Sequence, residues 1–465
     1  MSKPDTKSLD YQRMEPWWAL PDALIEGTQA MRCAEYLPQH EAESQQRYNA
    51  RLKMTRLQNF YARTLGSLVG KLFADKVHAD VSDQMADLLV DVDLCGNSLH
   101  VLARDLAHKA LHKGGAYIYV DAQDIEAGNE TDARAAGLRP YLVAYDLSDV
   151  HGVRYEVVNG SEVITQARIH RMVTEQVDEF TDESVAEMLV VEPERWRTFR
   201  MDKGEWALRR DEINRLGFVP LVPVSINPVA AHEYRPTLYS LAELNLEHFQ
   251  IRSDQRNSLS VCSFPIPCAS GYESGRDPTI TFGPFNMLAT GDPAGRFYYL
   301  ESNGTAIEQG RKELEMIEDH MRLFGLQFEV KQNSTATGNA LDAREANSPL
   351  QDWGMRLAGA LENAIEMMAR RMGLQEDATV EIKVAKPLDQ AVVAEVDSLL
   401  KARMAGEITR AEFRRELKRR AVVSDDFEAD AEIEDDADLG SVPAETPDNG
   451  LDAELIELLR AQAAA

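Results

Sequence analysis

A block of short strand-like runs between Pro140 and about Leu208 constrains the fold of this chain more than any other feature. The runs are rich in β-branched and aromatic residues, and turn pairs such as Asn159-Gly160 and Lys203-Gly204 separate them. A proline-punctuated run at 218–224 closes the block as an edge strand. The pattern predicts an antiparallel sheet. The predicted strands before that edge are 141–145, 163–171, 187–191, 195–200 and 206–209.

Helical periodicity precedes this block. Apolar residues recur at steps of three to five over 41–74, which predicts a helix, and similar patterns predict helices at 81–92 and 98–114. A short apolar run at 116–120 then predicts a buried strand. Because the helices come first and the antiparallel sheet follows, residues 1–230 are expected to form one α+β domain.

The pattern becomes helical again after Pro236. The helix predicted over 236–262 is polar on nearly all sides from Asn245 to Asn257, which is typical of a solvated spacer or a poor helix. A β insertion rich in proline and glycine follows at 264–300. Over 306–324, apolar residues recur in a heptad-like seam that predicts packing against one other helix.

Three further helices are predicted in the C-terminal part. The first, over 340–373, is long, and Pro349 predicts a kink or a restart within it. Two shorter helices follow at 387–404 and 409–421, and the second opens with a Thr-x-x-Glu capping box.

Charge is segregated near the C-terminal end of the sequence. Basic side chains cluster from Lys401 to Arg420, and an acidic run follows at 425–438. The surrounding stretch 424–449 has few large apolar residues, which predicts a disordered linker. The basic cluster could contact DNA, but pairing with the acidic run is favoured because neighbouring opposite charges interact in any fold.

The overall composition narrows the classes of function. A net charge of −28 over 465 residues makes tight nucleic-acid binding a poor candidate, although DNA could pass such a surface without adhering. The four cysteines form no CxxC pair and are expected to be reduced. No secretory signal or membrane-spanning run is recognised, which predicts a soluble protein made in the cytoplasm.

Every candidate active site fails on spacing. Residues 66–72 have three residues between their glycines where a phosphate-binding P-loop has four, and they lack the Ser or Thr that follows its lysine. The serine within 271–275 is three residues after the first glycine, whereas a nucleophile elbow has it two residues after. The aspartates at 87, 91 and 93 lack a calcium-loop glycine, and 315–320 lacks the Glu-x-x-His of a di-iron helix. We therefore expect no enzyme activity, no metal site and no cofactor.

A series of segments in a fixed order carries a family resemblance. Each segment is weakly specific alone, and their order over residues 11–420 makes the combination specific. They include Glu35-Tyr-Leu-Pro38, 48–52, 59–73, 91–99, Gly114-Gly-Ala-Tyr-Ile-Tyr-Val-Asp121, 248–257, 282–284, 299–321, Thr335-Ala-Thr337, 348–350 and Ala405-Gly-Glu-Ile-Thr409. Together they resemble the portal proteins of tailed double-stranded DNA bacteriophages, the head-to-tail connector ring subunits.

The resemblance implies an α+β portal fold in a cone-like ring, usually of twelve subunits, at one capsid vertex. Such a subunit has a mixed α/β wing, long stem and tunnel helices, a small β-rich clip and a helical C-terminal crown. The implied regions are a wing at 1–230, a stem helix at 231–263, a clip-like β insertion at 264–304, a second stem helix at 305–328, a channel-facing loop and long helix at 329–384, crown helices at 385–424 and an acidic tail, expected to be disordered, at 425–465.

The implied function is a non-enzymatic conduit for DNA packaging and ejection, located in the virion and assembled in the host cytoplasm. The implied partners are other copies of the chain, the major capsid protein, the terminase large subunit, a tail or head-completion adaptor and the passing double-stranded DNA, with no membrane. An acidic wall would let DNA slide, whereas a few side chains facing the channel could hold packaged DNA. The candidates are Lys331, Gln332, Asn333 and Arg344.

Two other hypotheses compete with this one. The first is a different structural or adaptor protein of a virion or secretion machine. The second is a metal-dependent nuclease that uses scattered carboxylates such as Asp91 and Asp93.

Overall fold

The structure is a computed structural model, and it describes residues 3–122, 139–262, 266–270, 294, 296–300, 305–326, 336–384, 390–404 and 408–419. Helices and strands both contribute to the fold, which is the α and β mixture that the sequence predicts. The chain divides into two compact units. The first is Met1–Leu326 with Leu350–Val384, and the second is Gln327–Pro349 with Ala385–Ala465.

Helices dominate the start of the first unit. A 3-10 turn at Glu15–Trp17 joins the first two of them. Gly114 ends α6 with a left-handed φ of 90°, as the helix predicted over 98–114 requires, whereas Ser98 before the helix is extended and makes no capping hydrogen bond with its side chain. The helices are α1 (Leu9–Met14), α2 (Ala19–Glu26), α3 (Gln45–Met54), α4 (Phe60–Leu72), α5 (Asp83–Leu89) and α6 (Leu99–Lys113).

The single helix expected over 41–74 is wrong, because α3 and α4 are separate helices. The backbone is extended at Thr55, with φ −66° and ψ 137°. A new helix begins after Asn59, whose side-chain oxygen accepts a hydrogen bond from the Ala62 amide at 2.9 Å. The apolar spacing continues through the break, so periodicity alone could not locate it.

The strand-rich block forms two main antiparallel sheets. Strands β4 to β8 form a five-stranded meander, and β3, β2 and β9 form a three-stranded sheet with β2 in the middle. The short β10 and β11 pair with each other. The strands are β1 (His78–Asp80), β2 (Gly115–Ala122), β3 (Pro140–Asp146), β4 (Val150–Val158), β5 (Ser161–Gln176), β6 (Asp182–Val191), β7 (Arg195–Asp202), β8 (Glu205–Ile213), β9 (Leu221–Ser225), β10 (Pro228–Ala230) and β11 (Glu233–Tyr234).

Both predicted hairpin turns are confirmed. Asn159 and Gly160 have φ of 53° and 82° between β4 and β5, and Lys203 and Gly204 have φ of 47° and 86° between β7 and β8. Positive φ at both central residues matches the right-handed twist of the paired strands. β9 is an edge strand, as expected. Strand β4 itself was not predicted.

One hydrophobic cluster joins α1 and the residues after it to both sheets. The inward faces of the strands contribute alternating side chains, and Tyr11 meets Trp18 edge to face at 5.1 Å between ring centres. Burial on this scale makes the sheets and the N-terminal helix one folding unit. Its members include Tyr11, Met14, Trp18, Tyr117, Tyr119, Val153, Ala167, Ile169, Leu189, Val191 and Leu221.

A helix, a β ribbon, a second helix and the part of a long helix from residue 350 onward complete the first unit. β12 and β13 pair antiparallel, and β14 pairs with β1. Residues 271–275 and 279–282 of the expected β insertion lie outside the described residues, as does the polar stretch 123–137. The elements are α7 (Tyr239–Cys262), β12 (Ile266–Ser270), β13 (Arg296–Leu300), α8 (Thr305–Leu326), α9 (Ala336–Arg371) and β14 (Thr379–Glu381).

Helix α9 is continuous through Pro349, so the alternative of a helix restart there is wrong. Its inward residues are those that the sequence predicts, and Gly373 follows its end with φ of 73°. Within the first unit, Arg371 near this end donates a hydrogen bond to the Val120 carbonyl at 3.0 Å. The buried residues are Leu350, Leu357, Leu361, Ala364 and Met368.

The second unit contains α10 (Gln390–Met404) and α11 (Arg410–Arg419). The predicted capping box is confirmed: the Glu412 amide donates to the Thr409 hydroxyl at 3.2 Å, and the Thr409 amide donates to the Glu412 carboxylate at 2.9 Å. The acidic stretch 424–449 lies outside the described residues. Over the part of the chain that is described, no helix combines the length and apolarity needed to cross a bilayer.

Candidate functional site

The helices α7 and α8 lie side by side and run antiparallel. The Gln255 side-chain amide donates to the Ile307 carbonyl at 2.6 Å, and farther along the pair His248 Nε2 lies 3.2 Å from Glu318 Oε1. At 1.5 Å per residue, their 24 and 22 residues extend about 36 Å and about 33 Å. In the sequence they flank the β12–β13 ribbon. Together they form a helix–ribbon–helix element.

The polar face of α7 is buried in part, so the expectation of a solvated or poor helix is wrong. Asn245, His248 and Ser253 are at most 2% exposed. Asn245 accepts a hydrogen bond from the Tyr61 amide and donates one to the Gln58 carbonyl, both at 3.0 Å. Because these groups satisfy each other, a polar helix face can lie inside the fold without a large desolvation cost.

Ser253 ties α7 to the break between α3 and α4. Its hydroxyl lies 2.9 Å from the buried hydroxyl of Thr55, and the Thr55 hydroxyl also donates to the Arg51 carbonyl at 2.7 Å. The polar positions of α7 therefore select the interrupted geometry of the N-terminal helices. This is why a pattern that looked solvent-facing in the sequence belongs to the interior.

His248 is the titratable group inside this contact. Burial lowers its pKa below the ordinary value of 6.5, and the carboxylate of Glu318 opposes that shift. The ring meets Phe60 edge to face at 5.7 Å, and its Nδ1 has no hydrogen-bond partner within the described part of the chain. A depressed pKa keeps the imidazole neutral near pH 7.

The heptad-like seam of α8 contacts more than the expected single helix. Ile317 and Met321 are buried at 4% and 1% exposure, and α8 packs against both α7 and α4. A Cβ at Gly310 would collide with the side chain of Gln255, so this seam position allows a close approach of the two helices.

The outer face of α8 carries alternating charges. Arg311 pairs with Glu308 at 2.8 Å and also with Glu315, and Arg322 pairs with Asp319 at 2.7 Å. Glu315 and Asp319 therefore belong to a charged outer face of the helix. Glu318 contributes to both sides: one carboxylate oxygen pairs with Arg322 at 3.0 Å, and the other lies against His248 on α7. Exposed pairs at this spacing stabilise a helix by only a few tenths of a kcal/mol each.

The predicted DNA-contacting residues are not positioned by the structure. Lys331, Gln332 and Asn333 lie outside the described residues. Arg344 lies on α9, but its side chain is outside the described part of the structure. Their role in contacting DNA stays a prediction.

A buried relay that the sequence did not suggest joins α2, α4 and α6. The Tyr61 hydroxyl lies 2.9 Å from His112 Nδ1, and His112 Nε2 lies 2.8 Å from Asp22. Lys113 approaches Asp22 at 3.3 Å and Asp146 at 3.1 Å. The spacing of Tyr61, His112 and Asp22 superficially matches a base-activated nucleophile.

The pKa shifts of this relay do not support catalysis by Tyr61. Burial raises the pKa of Tyr61 well above its ordinary value, and the charge of Asp22 adds to that shift, so the hydroxyl stays protonated. Burial also favours a higher pKa for Asp22, but the hydrogen bond from His112 and the charge of Lys113 outweigh it and lower that pKa. The arrangement keeps an ion pair fixed between helices, which is a structural role.

The two other charged or glycine-rich candidates also have local structural roles. Asp91 accepts a hydrogen bond from the Gly96 amide at 2.8 Å and pairs with Arg139 at 2.7 Å, and Asp93 accepts one from the Cys95 amide at 2.9 Å. Residues 66–72 lie within or at the end of α4, as expected from their apolar face. Within the described residues, no group of three potential ligands could hold a metal ion.

The sequence of the helix–ribbon–helix region matches a protein family. Residues 237–372, from α7 to the end of α9, match a family described as a domain of unknown function, DUF4055. The match covers less than a third of the 465 residues. No curated protein matches this chain.

Three solved structures resemble the chain at low identity. A chain from the virion of a native gene transfer agent particle is 15% identical, with a TM-score of 0.41 over 77% of this chain and 89% of that chain. A chain from the neck of the empty particle, computed with C6 symmetry, is 14% identical, with a TM-score of 0.42 over 78% of this chain and 90% of that chain. A chain from the neck of the native particle, computed with C12 symmetry, is 14% identical, with a TM-score of 0.39 over 77% of this chain and 89% of that chain. TM-scores this low carry no conclusion about function.

Proposed function

We propose that this chain is a portal subunit, a head-to-tail connector that forms a ring at one capsid vertex through which DNA is packaged and ejected. The observation that carries the proposal is the antiparallel α7–α8 pair with the β12–β13 ribbon between its helices in the sequence. This order of elements is the one that the sequence resemblance implies for stem helix, clip and second stem helix. The wing then corresponds to the helices and sheets before α7.

The electrostatics of the helix pair suit a conduit. Helix α8 has five acidic and three basic residues, within a chain of net charge −28. A wall with few unpaired cations makes few phosphate contacts, and phosphate contacts are what give DNA affinity. Low affinity is useful here because DNA must move along the wall rather than bind to it.

The remaining features of the proposal follow from the same resemblance. The ring contains twelve copies, and it contacts the major capsid protein, the terminase large subunit and a tail or head-completion adaptor. The protein is located in the virion and has no catalytic role. Lys331, Gln332, Asn333 and Arg344 face the channel in this proposal and hold DNA after packaging.

Electron microscopy of the purified full-length chain tests the ring. The expected result is a closed ring with a central channel wide enough for duplex DNA. A monomer under all assembly conditions, or a ring with a narrower opening, would contradict the conduit and favour a different adaptor. Cleavage of plasmid DNA with a divalent metal, lost in Asp91→Asn, would instead support the nuclease.

A second experiment tests the channel residues. Particles assembled with Lys331→Ala and Arg344→Ala subunits are expected to package DNA but to lose more of it on storage than wild-type particles. Arg209→Ala with Arg210→Ala, at exposed positions on β8, is the matched control for the loss of two positive charges. Normal DNA retention by the double variant would remove these two residues from the proposed holding role.

A further inference from the structure

A basic cleft lies between the N-terminal segment and the outer face of the five-stranded sheet. Its volume is about 710 Å³. One acidic side chain, Asp10, lines it together with a larger set of cations. That balance is unusual in a chain with 78 acidic and 50 basic residues. The cationic lining residues are Lys3, Lys7, Arg154, Arg168 and Arg197.

The sheet register places the two central arginines in one row. Arg168 on β5 is opposite Val190 on β6, and Val190 is opposite Arg197 on β7. Their side chains project from the face opposite to Ala167 and Val191, which are in the hydrophobic cluster. The basic character therefore belongs to a rigid sheet face and not to a loop.

The guanidinium group of Arg168 is held close to the backbone. It lies across Gly152, where a Cβ would collide with it, and its Nη1 donates to the Thr6 carbonyl. Glycine at this position leaves the space that the arginine occupies. The N-terminal segment thus forms one wall of the cleft and orients Arg168 at the same time.

Part of the hydrogen-bonding capacity of this row is unused. The Nε–H groups of Arg168 and Arg197 are buried and find no acceptor within the described part of the chain, although Arg197 pairs with Glu192 at 3.1 Å. Burial lowers the pKa of Arg168, and the nearby charge of Arg154 adds to that shift. These Nε–H groups are closed off from a ligand, but an anionic ligand that meets the guanidinium groups of Arg154 and Arg168 would reduce the repulsion between them.

The apolar part of the lining narrows the type of anion. Pro4, Leu9, Val190 and Phe199 line the same cleft. A phosphate backbone makes no apolar contacts with such side chains. Duplex DNA needs an extended groove, whereas the volume of this cleft is in the range of small-ligand pockets. A short peptide with carboxylates and an apolar side chain matches both parts of the lining.

We propose that this cleft binds an acidic peptide segment that carries apolar side chains, of the kind found at 425–439 in this chain. That segment contains nine carboxylates together with Phe427, Ile433 and Leu439. Carboxylates form paired hydrogen bonds with guanidinium groups, and the apolar side chains contact the wall around Val190 and Phe199. The proposal does not depend on the ring or on DNA passage.

Fluorescence anisotropy with a labelled peptide of residues 424–440 tests the proposal. The protein is the full-length chain in which the nine carboxylates between Asp425 and Asp438 are replaced by Asn or Gln, so that this run does not compete. We expect saturable binding that weakens as salt is added. A peptide with the same carboxylates replaced by amides is expected not to bind.

The decisive comparison is between two pairs of arginines on one sheet. Arg154→Ala with Arg168→Ala is expected to weaken peptide binding at least about tenfold. Arg209→Ala with Arg210→Ala, on β8 outside the cleft, is expected to leave it unchanged. If the double cleft variant does not fold, Arg154→Ala alone serves, because Arg154 is exposed, and it is expected to weaken binding measurably.

Three results would overturn the proposal. The first is no binding of the acidic peptide, and the second is binding that the cleft variants do not weaken. The third is tighter binding of inorganic phosphate or duplex DNA than of the peptide at the same ionic strength, lost in the cleft variants, which would assign the cleft to phosphate groups.

Discussion

Glu187 on β6 shows how a single buried charge is tolerated in the five-stranded sheet. It is 1% exposed, and its two carboxylate oxygens each accept a hydrogen bond at 2.6 Å, from Arg171 on β5 and Arg200 on β7. Removing Glu187 takes away the carboxylate between the two arginines and leaves Arg200 with Glu175 as its remaining acidic partner. Glu187→Gln is therefore expected to reduce the free energy of unfolding by about 3 kcal/mol, measured by chemical denaturation.

Glu183 on the same strand is the matched control. It is exposed and lies opposite Glu175 in the register with β5. Glu183→Gln is expected to change stability by less than about 0.5 kcal/mol. Equal effects of the two substitutions would mean that the two arginines do not depend on Glu187.

The buried imidazole of His248 makes stability depend on pH. Its pKa is lowered in the fold by burial, so the unfolded chain binds more protons than the folded chain between the lowered value and 6.5. The stabilisation is fully present above pH 6.5 and is lost as pH falls below it. Urea unfolding from pH 7.5 to 5 is expected to show a smaller loss in His248→Gln than in the wild type.

Other histidines also contribute to the dependence of stability on pH, so the test is the comparison between variants. Burial also lowers the pKa of His108, His151 and His232. His78→Gln, at an exposed position, controls for loss of a histidine from the unfolded state. A wild-type slope that His248→Gln leaves unchanged would mean that His248 binds protons equally in the folded and the unfolded chain, and that its pKa is not lowered by burial.

The sequence predicts residue roles well where the partners are neighbours in the chain. The capping pair Thr409 and Glu412 and the turn pair Asn159 and Gly160 act within four residues, and both are confirmed. The contact of His112 with Asp22 joins residues 90 positions apart. No local pattern encodes such a pair, because it depends on how helices pack.

At the scale of elements, α7 explains why the N-terminal helices are interrupted. Asn245 satisfies the Tyr61 amide and the Gln58 carbonyl at the break. Asn245→Ala leaves both groups buried without their partner, which is expected to cost about 1–3 kcal/mol in thermal or chemical unfolding. Asn257→Ala, at an exposed position of the same helix, is expected to cost far less.

A small effect of Asn245→Ala would be informative in itself. It would mean that water replaces the amide at the break, and that α3 and α4 are separated by their own capping residues. Hydrogen exchange of the Tyr61 amide distinguishes the two cases, since a lost buried acceptor is expected to speed its exchange.

The elements that the sequence predicted correctly are those with local signals. The turn pairs between strands locate most of the strands, and apolar periodicity, such as the heptad-like spacing of α8, locates most of the helices. The errors have a common cause in tertiary contacts. β4 was not predicted because its strand pattern is interrupted at Gly152, where the structure places the side chain of Arg168. The polar face of α7 was assigned to solvent because its buried partners lie about 190 residues away.

At the scale of the whole molecule, the proposed conduit depends on charge more than on shape. The wild-type chain carries −28, and exposed Glu313 and Asp319 lie on α8, within the helix pair proposed as stem. If this helix forms part of the channel wall, a cation there makes a phosphate contact in every subunit. Glu313→Lys with Asp319→Lys is therefore expected to increase the affinity of the assembled protein for duplex DNA, mainly at low salt.

The location of the charge distinguishes a channel from a general electrostatic effect. Glu205→Lys with Glu212→Lys makes the same change in net charge on β8, at exposed positions far from α8 in the sequence. Each added phosphate contact is expected to steepen the dependence of log affinity on log salt by about 0.9. Mobility-shift titrations over a range of salt therefore measure the number of contacts directly. Equal slopes for the two double variants would mean that only net charge matters, and α8 would then not be assigned to the wall along which DNA moves.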